Sequence, residues 1–188
     1  MGWKILAAGL ALLGWLAGLC PAQEVGSEYQ VKAAQIYSFT KFIDWPAKKF
    51  SSAASPFIIG VWGSDAVTDY LREAFQGRRI KDRLVEIRHL SNKAELRPCH
   101  LVFVSRSERD RLGGILWEMR SENILSVGES DNFLRAGGVI NFVNVEGETR
   151  FQINAGAASR ENLKISSKLL SISYSASHAR RLPPVTEP

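Results

Sequence analysis

The residues able to do chemistry are few and do not converge on a reaction. No Gly-x-Ser-x-Gly elbow is present to expose a serine nucleophile, and no glycine-rich phosphate loop follows a strand. His89, His100 and His178 are scattered, without metal-ligand spacing, and read as solvent or strand-end residues. Asp65 and Asp69, like Glu129 and Asp131, fall where first-turn acids favour a helix dipole, so no acid–base pair is indicated. The expectation is a protein that is not an enzyme and needs no cofactor or metal. What could bind is "GVWGSD", residues 60–65. There Trp62, Gly63 and Ser64 follow an apolar strand, at the carboxyl edge where α/β sheets take ligands.

Three polar residues stand out inside apolar surroundings. Asn141 interrupts a buried strand, Asn154 ends a hairpin, and Ser167 sits in the triplet Ser166-Ser167-Lys168 amid Ile165, Leu169 and Leu170. A buried amide needs partners, so these side chains are expected to tie the hairpin to the last helix. Of the two cysteines, Cys20 directly follows the amino-terminal apolar run and is expected to leave with residues 1–22 as a cleaved signal. The remaining Cys99 is then a free thiol with no partner for an intramolecular disulfide, and its place opening "CHLVFV" suits a small buried hydrophobe.

The elements that must position these groups alternate. "FIIGVWG" and "HLVFV" are continuous apolar runs, as in strands buried on both faces, and "RLVEIRHL" alternates like a half-exposed strand. "SDAVTDYLREAF" places Val67, Tyr70, Leu71 and Ala74 at helical spacing, and Ser107 with Asp110 suggests a capping box before Leu112, Ile115, Leu116 and Met119. "NKAEL" reads as a helical turn capped by Ser91 or Asn92, "NILSV" as a short strand, and "ESDNFLRAGG" as a short helix closed by Gly137-Gly138. "VINFVNVEGETRFQIN" is a hairpin turning at Gly147, and "NLKISSKLLSIS" is a final helix. The predicted fold class is a single-domain α/β sandwich: a mostly parallel sheet flanked by helices, finished by an antiparallel hairpin.

The ends complete the plan. Lys4, an uncharged run from Ile5 to Leu19 and small residues to Ala22 form the pattern of a cleaved signal peptide, residues 1–22. That leaves a domain over 23–176 and a flexible tail over 177–188, outside the cytoplasm. The chain has 188 residues and a net charge of +5, spread without blocks, so nucleic acid is not indicated as a partner. The first helix, "SEYQVKAAQIYSFTKFIDWP", sets Tyr29, Ala33, Ile36, Tyr37 and Ile43 on one face and Lys32, Gln35, Ser38 and Lys41 on another. Its basic stripe is too thin for a membrane-surface helix, so it should close the core, with Phe39 and Phe42 left over for a dimer or partner contact.

Read in order, "EYQVKAAQIYSFTKFIDWP", "IIGVWG", "CHLVFV", "GGVINFV", "RFQIN" and "LKISSKLL" resemble the YfiR-like family of exported bacterial proteins, over about residues 27–172. The resemblance implies a periplasmic, non-catalytic α/β domain. It would dock onto the periplasmic sensor part of an inner-membrane diguanylate cyclase, or of a sensor kinase, and repress it. That would lower cyclic-di-GMP and biofilm formation, and a homodimer is also implied. The family's disulfide-based redox sensing does not carry over, because the hairpin here holds no cysteine. Partner contacts are expected at exposed members of Phe151, Ile165, Lys168 and Leu169. The alternative is a small-molecule pocket at Trp62, Gly63 and Ser64.

Overall fold

The computed structural model describes residues 21–63 and 65–174. The predicted leader (save Pro21 and Ala22, which open the first helix), Ser64, His178 and the tail lie outside the described residues. In chain order, α1 (Pro21–Lys41) and β1 (Ile43–Asp44) lead through a 3-10 turn to β2 (Phe57–Trp62) and α2 (Asp65–Phe75). A short hairpin of β3 (Arg79–Ile80) and β4 (Arg83–Leu90) follows, then β5 (Leu101–Val104), α3 (Leu112–Glu118) and β6 (Leu125–Gly128). The last third holds β7 (Ile140–Val145), β8 (Glu148–Ile153), α4 (Ala155–Arg160), β9 (Lys164–Ile165) and α5 (Ser167–Ile172).

Seven strands form one sheet in the order β3-β4-β2-β5-β6-β7-β8, and β1 pairs with β9 in a separate antiparallel ribbon. The pairs β2–β4, β2–β5, β5–β6 and β6–β7 are parallel, while β3–β4 and β7–β8 are antiparallel. The fold is therefore the mostly parallel α/β sandwich expected, closed by an antiparallel hairpin. The continuous apolar runs explain why the sheet carries two core layers. Phe57, Ile59 and Val61 of β2 and Leu101 and Phe103 of β5 face the layer under α1 and α2, while Ile58, Val102 and Val104 face α3.

α1 closes the first layer through Ala33, Ile36 and Phe39, which recur every third residue. Phe39 is a core residue and leaves no surface for a partner. Its ring packs edge-on against Phe151 at 4.7 Å between centroids and stacks on Phe142 at 5.9 Å. Burying a side chain of this size contributes about 1.5–3 kcal/mol. Phe42 stays half-buried, with the Lys168 ammonium 5.6 Å above its ring. After α1, Trp45 turns inward and donates its indole N–H to the His100 carbonyl at 2.8 Å, which fixes the exit of the chain.

Other local expectations change. Ser107 and Asp110 form no capping box: α3 begins after Arg111 without a side-chain cap, and the Ser107 hydroxyl pairs with that of Ser105 at 2.6 Å. A capping box does form at Asn92, whose side chain accepts from Ala94 N while Glu95 reaches back. Residues 131–137 are turns rather than a helix, held by the buried ring of Phe133. Ser166 caps α5 instead of lying within it, because Lys164–Ile165 are drawn off to pair with β1.

Candidate functional site

The carboxyl edge of the sheet is built around one buried carboxylate. As β6 ends, the chain delivers Glu129 into the space between α1 and the exit of β5. Its two oxygens accept hydrogen bonds from Tyr29 Oη at 3.1 Å, from Arg106 N at 3.0 Å and from Lys32 Nζ. Lys32 is only 3% exposed and also pairs with Glu28, one helical turn earlier. Its ammonium lies 4.7 Å from the Tyr29 ring centroid, so an aromatic face supplements the ion pair. Burial, followed by the Glu129 charge, pushes the Tyr29 phenol far above its ordinary range. It stays protonated and serves as a donor, not a nucleophile. Sequence spacing placed Lys32 on the polar face of α1, and a lone lysine carries no mark of a buried partner about a hundred residues away.

Next to this bolt, Asn141 in β7 is buried and its Oδ1 accepts from Ser130 N at 3.1 Å. It ties β7 to the exit of β6, not to the last helix. Asn154 caps α4: its Oδ1 accepts from Ala157 N at 2.9 Å, and its Nδ2 donates to Leu134 O at 3.2 Å. Ser167 is exposed at the start of α5, and the capping bond there belongs to Ser166. A cavity of about 550 Å³ opens at this edge, lined by Arg106, Arg109, Glu129, Asp131, Phe142 and Asn144 among others. Trp62 and Gly63 end β2, one strand away, and do not line it. Gly63 has φ +119° and abuts the Ser105 hydroxyl, leaving no room for a β-carbon. Trp62 packs toward α3.

The opposite end holds the remaining titratable groups of note. His100 is 3% exposed, a core residue rather than a solvent one. Its Nδ1 accepts from Ile58 N at 3.1 Å, and its ring stacks on Phe50 and Phe57 at 4.5 and 4.9 Å. Burial first, then the Lys49 and Arg83 charges, lower its pKa to about 4. Cys99 is buried and its thiol donates to Glu95 O at 3.2 Å; burial pushes the thiol up to about 11, so it stays a protonated hydrophobe. Among the described residues no three His, Cys, Asp or Glu side chains stand together as metal ligands.

The residues expected at a partner surface divide sharply. Phe151 and Leu169 are buried in the core, Ile165 is half-buried in β9, and Lys168 is exposed. Two residues absent from that expectation are the most open apolar side chains of the region: Ile172, 62% exposed, and Leu170, 38% exposed. Lys168 and Ile172, four residues apart, share one side of α5. Their exposure follows from the N-cap at Ser166, which sets the phase of the short helix and turns Leu169 inward.

The sequence profile of a family described as YfiR/HmsC-like matches residues 29–174. No curated protein matches the sequence. Among solved structures, a conserved domain protein from Vibrio cholerae O1 biovar El Tor is similar, with TM-score 0.54 and 9% identity, over 77% of this chain and 58% of that one. An ABC domain in complex with L-Trp from Streptococcus pneumonia matches with TM-score 0.49 and 12% identity, over 77% of this chain and 59% of that one. The chain spans about three fifths of the length of these structures, and the Vibrio protein shares its fold.

Proposed function

Because the chain belongs to the YfiR/HmsC-like family, we propose that it is a periplasmic regulator that docks onto the periplasmic sensor part of a membrane diguanylate cyclase and represses it. The observation that carries this reading is the family match, which runs through nearly the whole described domain, residues 29–174. In this reading residues 1–22 direct export, residues 23–176 fold as one domain, and the protein acts by binding instead of by catalysis. Repression requires tighter binding to the inactive conformer of the sensor than to the active one, since a ligand shifts an equilibrium only by its differential affinity.

The docking surface in this reading is the open side of α5 with β9: Ile165, Lys168, Leu170 and Ile172. Apolar anchors beside a cation suit a transient interface, while Phe151 and Leu169 stay in the core. Co-purification of the chain with the periplasmic part of a cyclase tests it. Ile172→Asp, at an exposed position, should fold normally and lose at least ten-fold in affinity; a folded variant that binds fully excludes this face.

The cavity at the carboxyl edge favours a second reading, a small-molecule binding domain. A ligand held there would raise the melting temperature, because binding only the folded state stabilises it. A thermal-shift screen of amino acids and nucleotides separates the two readings.

A further inference from the structure

A seven-stranded open sheet has two edges, and this protein treats them differently. The hairpin pair Val145 with Glu148 sets the phase of β8, so Thr149, Phe151 and Ile153 turn their backbone groups outward. Two of the three outward carbonyls are taken: Thr149 O accepts from Gln35 Nε2 at 3.2 Å, and Phe151 O from Tyr174 N at 2.7 Å. That edge is blunted, as sheet edges commonly are.

The other edge is left open. β3 pairs with only the first two residues of β4, at Arg83 and Leu84. One further bond, Val85 N to Arg78 O at 3.3 Å, fixes the phase: Val85 and Ile87 point their backbone groups away from β2. Beyond it, no described residue bonds the outward N–H or C=O of Ile87. Alongside runs a cavity of about 520 Å³, floored by Phe75, Val85 and Ile87 and walled by Asp69, Arg72 and Glu73 of α2. Val85 and Ile87 are two residues apart on one face, the spacing at which an incoming strand presents alternate side chains. The wall is acidic. Arg72 is paired with Asp69, while Glu73 makes no ion pair among the described residues.

We propose that the groove between α2 and the open edge of β4 binds an extended peptide segment carrying a basic side chain, as a strand added to the sheet. An unpaired backbone edge is matched by another backbone. The apolar floor takes alternate side chains, and Glu73 selects a cation at the rim. The site lies on a different edge from the α5 face and does not depend on it.

Nuclear magnetic resonance on the isotope-labelled full chain tests this, with a capped Thr-Val-Thr-Lys-Thr-Val peptide as probe, which sets valine and lysine on one face. Exchange of the Ile87 amide with solvent should slow at least ten-fold on binding. Glu73→Lys should weaken binding at least five-fold, while Lys168→Glu on α5 leaves it unchanged. The same peptide methylated on alternate backbone nitrogens, or with glutamate for lysine, should bind at least five-fold more weakly. An unprotected Ile87 amide at saturation, or equal binding of the glutamate or methylated peptide, overturns the proposal.

Discussion

Lys32 and Glu129 form a buried ion pair, supplemented by Glu28 at the ammonium and by Tyr29 and Arg106 N at the carboxylate. Removing one partner strands the other charge in the interior, at a cost of about 3–5 kcal/mol, whereas removing both costs far less. Lys32→Met should therefore lower the unfolding free energy in urea by that amount, and adding Glu129→Gln should recover most of the loss. His100 supplies the pH dependence. Its folded pKa of about 4 lies below the ordinary histidine value of about 6.5. The unfolded chain thus binds a proton that the folded chain refuses. Stability is full above about pH 6.5 and falls as the pH drops toward 4, by on the order of 2–3 kcal/mol. His100→Gln keeps an acceptor for Ile58 N, so its urea midpoint should vary less across that window. Neither residue was legible beforehand. A lysine on a polar helix face and a histidine at a strand end look alike whether exposed or buried, and only distant elements decide which they are.

At the scale of elements, legibility followed the strength of the local signal. The hairpin was plain: two alternating runs meet at Glu146 and Gly147, whose φ values of 53° and 83° make the two-residue turn that matches strand twist. The apolar strands β2 and β5 were equally clear, since no other arrangement buries both faces of so short a run. Residues 131–137 misled because "SDNFLRAGG" carries helix-like start and stop residues, yet the loop obeys Phe133. That ring sits against the α-carbons of Gly128 and Gly138, and a β-carbon at either position would fall inside it. Gly138→Ala should cost about 1–3 kcal/mol by overpacking, and Phe133→Leu in the same chain should return part of it, as read from thermal unfolding. β1 and β9 could not be read from two residues each; their pairing depends on where α1 and α4 leave the chain.

At the scale of the whole molecule, the rims of the sheet differ in what covers them. The carboxyl rim is locked by the Tyr29–Lys32–Glu129 bolt, the β8 edge is partly covered, and α5 carries open apolar side chains beside Lys168. Fold class and family could be read from the sequence because they rest on many motifs in register. The docking face could not, because the phase of a six-residue helix depends on its cap at Ser166. In the proposed function, binding through α5 holds a diguanylate cyclase inactive. The direct measurement is the rate of cyclic-di-GMP synthesis by the full-length cyclase in proteoliposomes, with the chain supplied on the periplasmic face. The rate should fall several-fold, saturate with the chain, and recover with Ile172→Asp. A rate unchanged by saturating chain, with binding verified in the same vesicles, would contradict it.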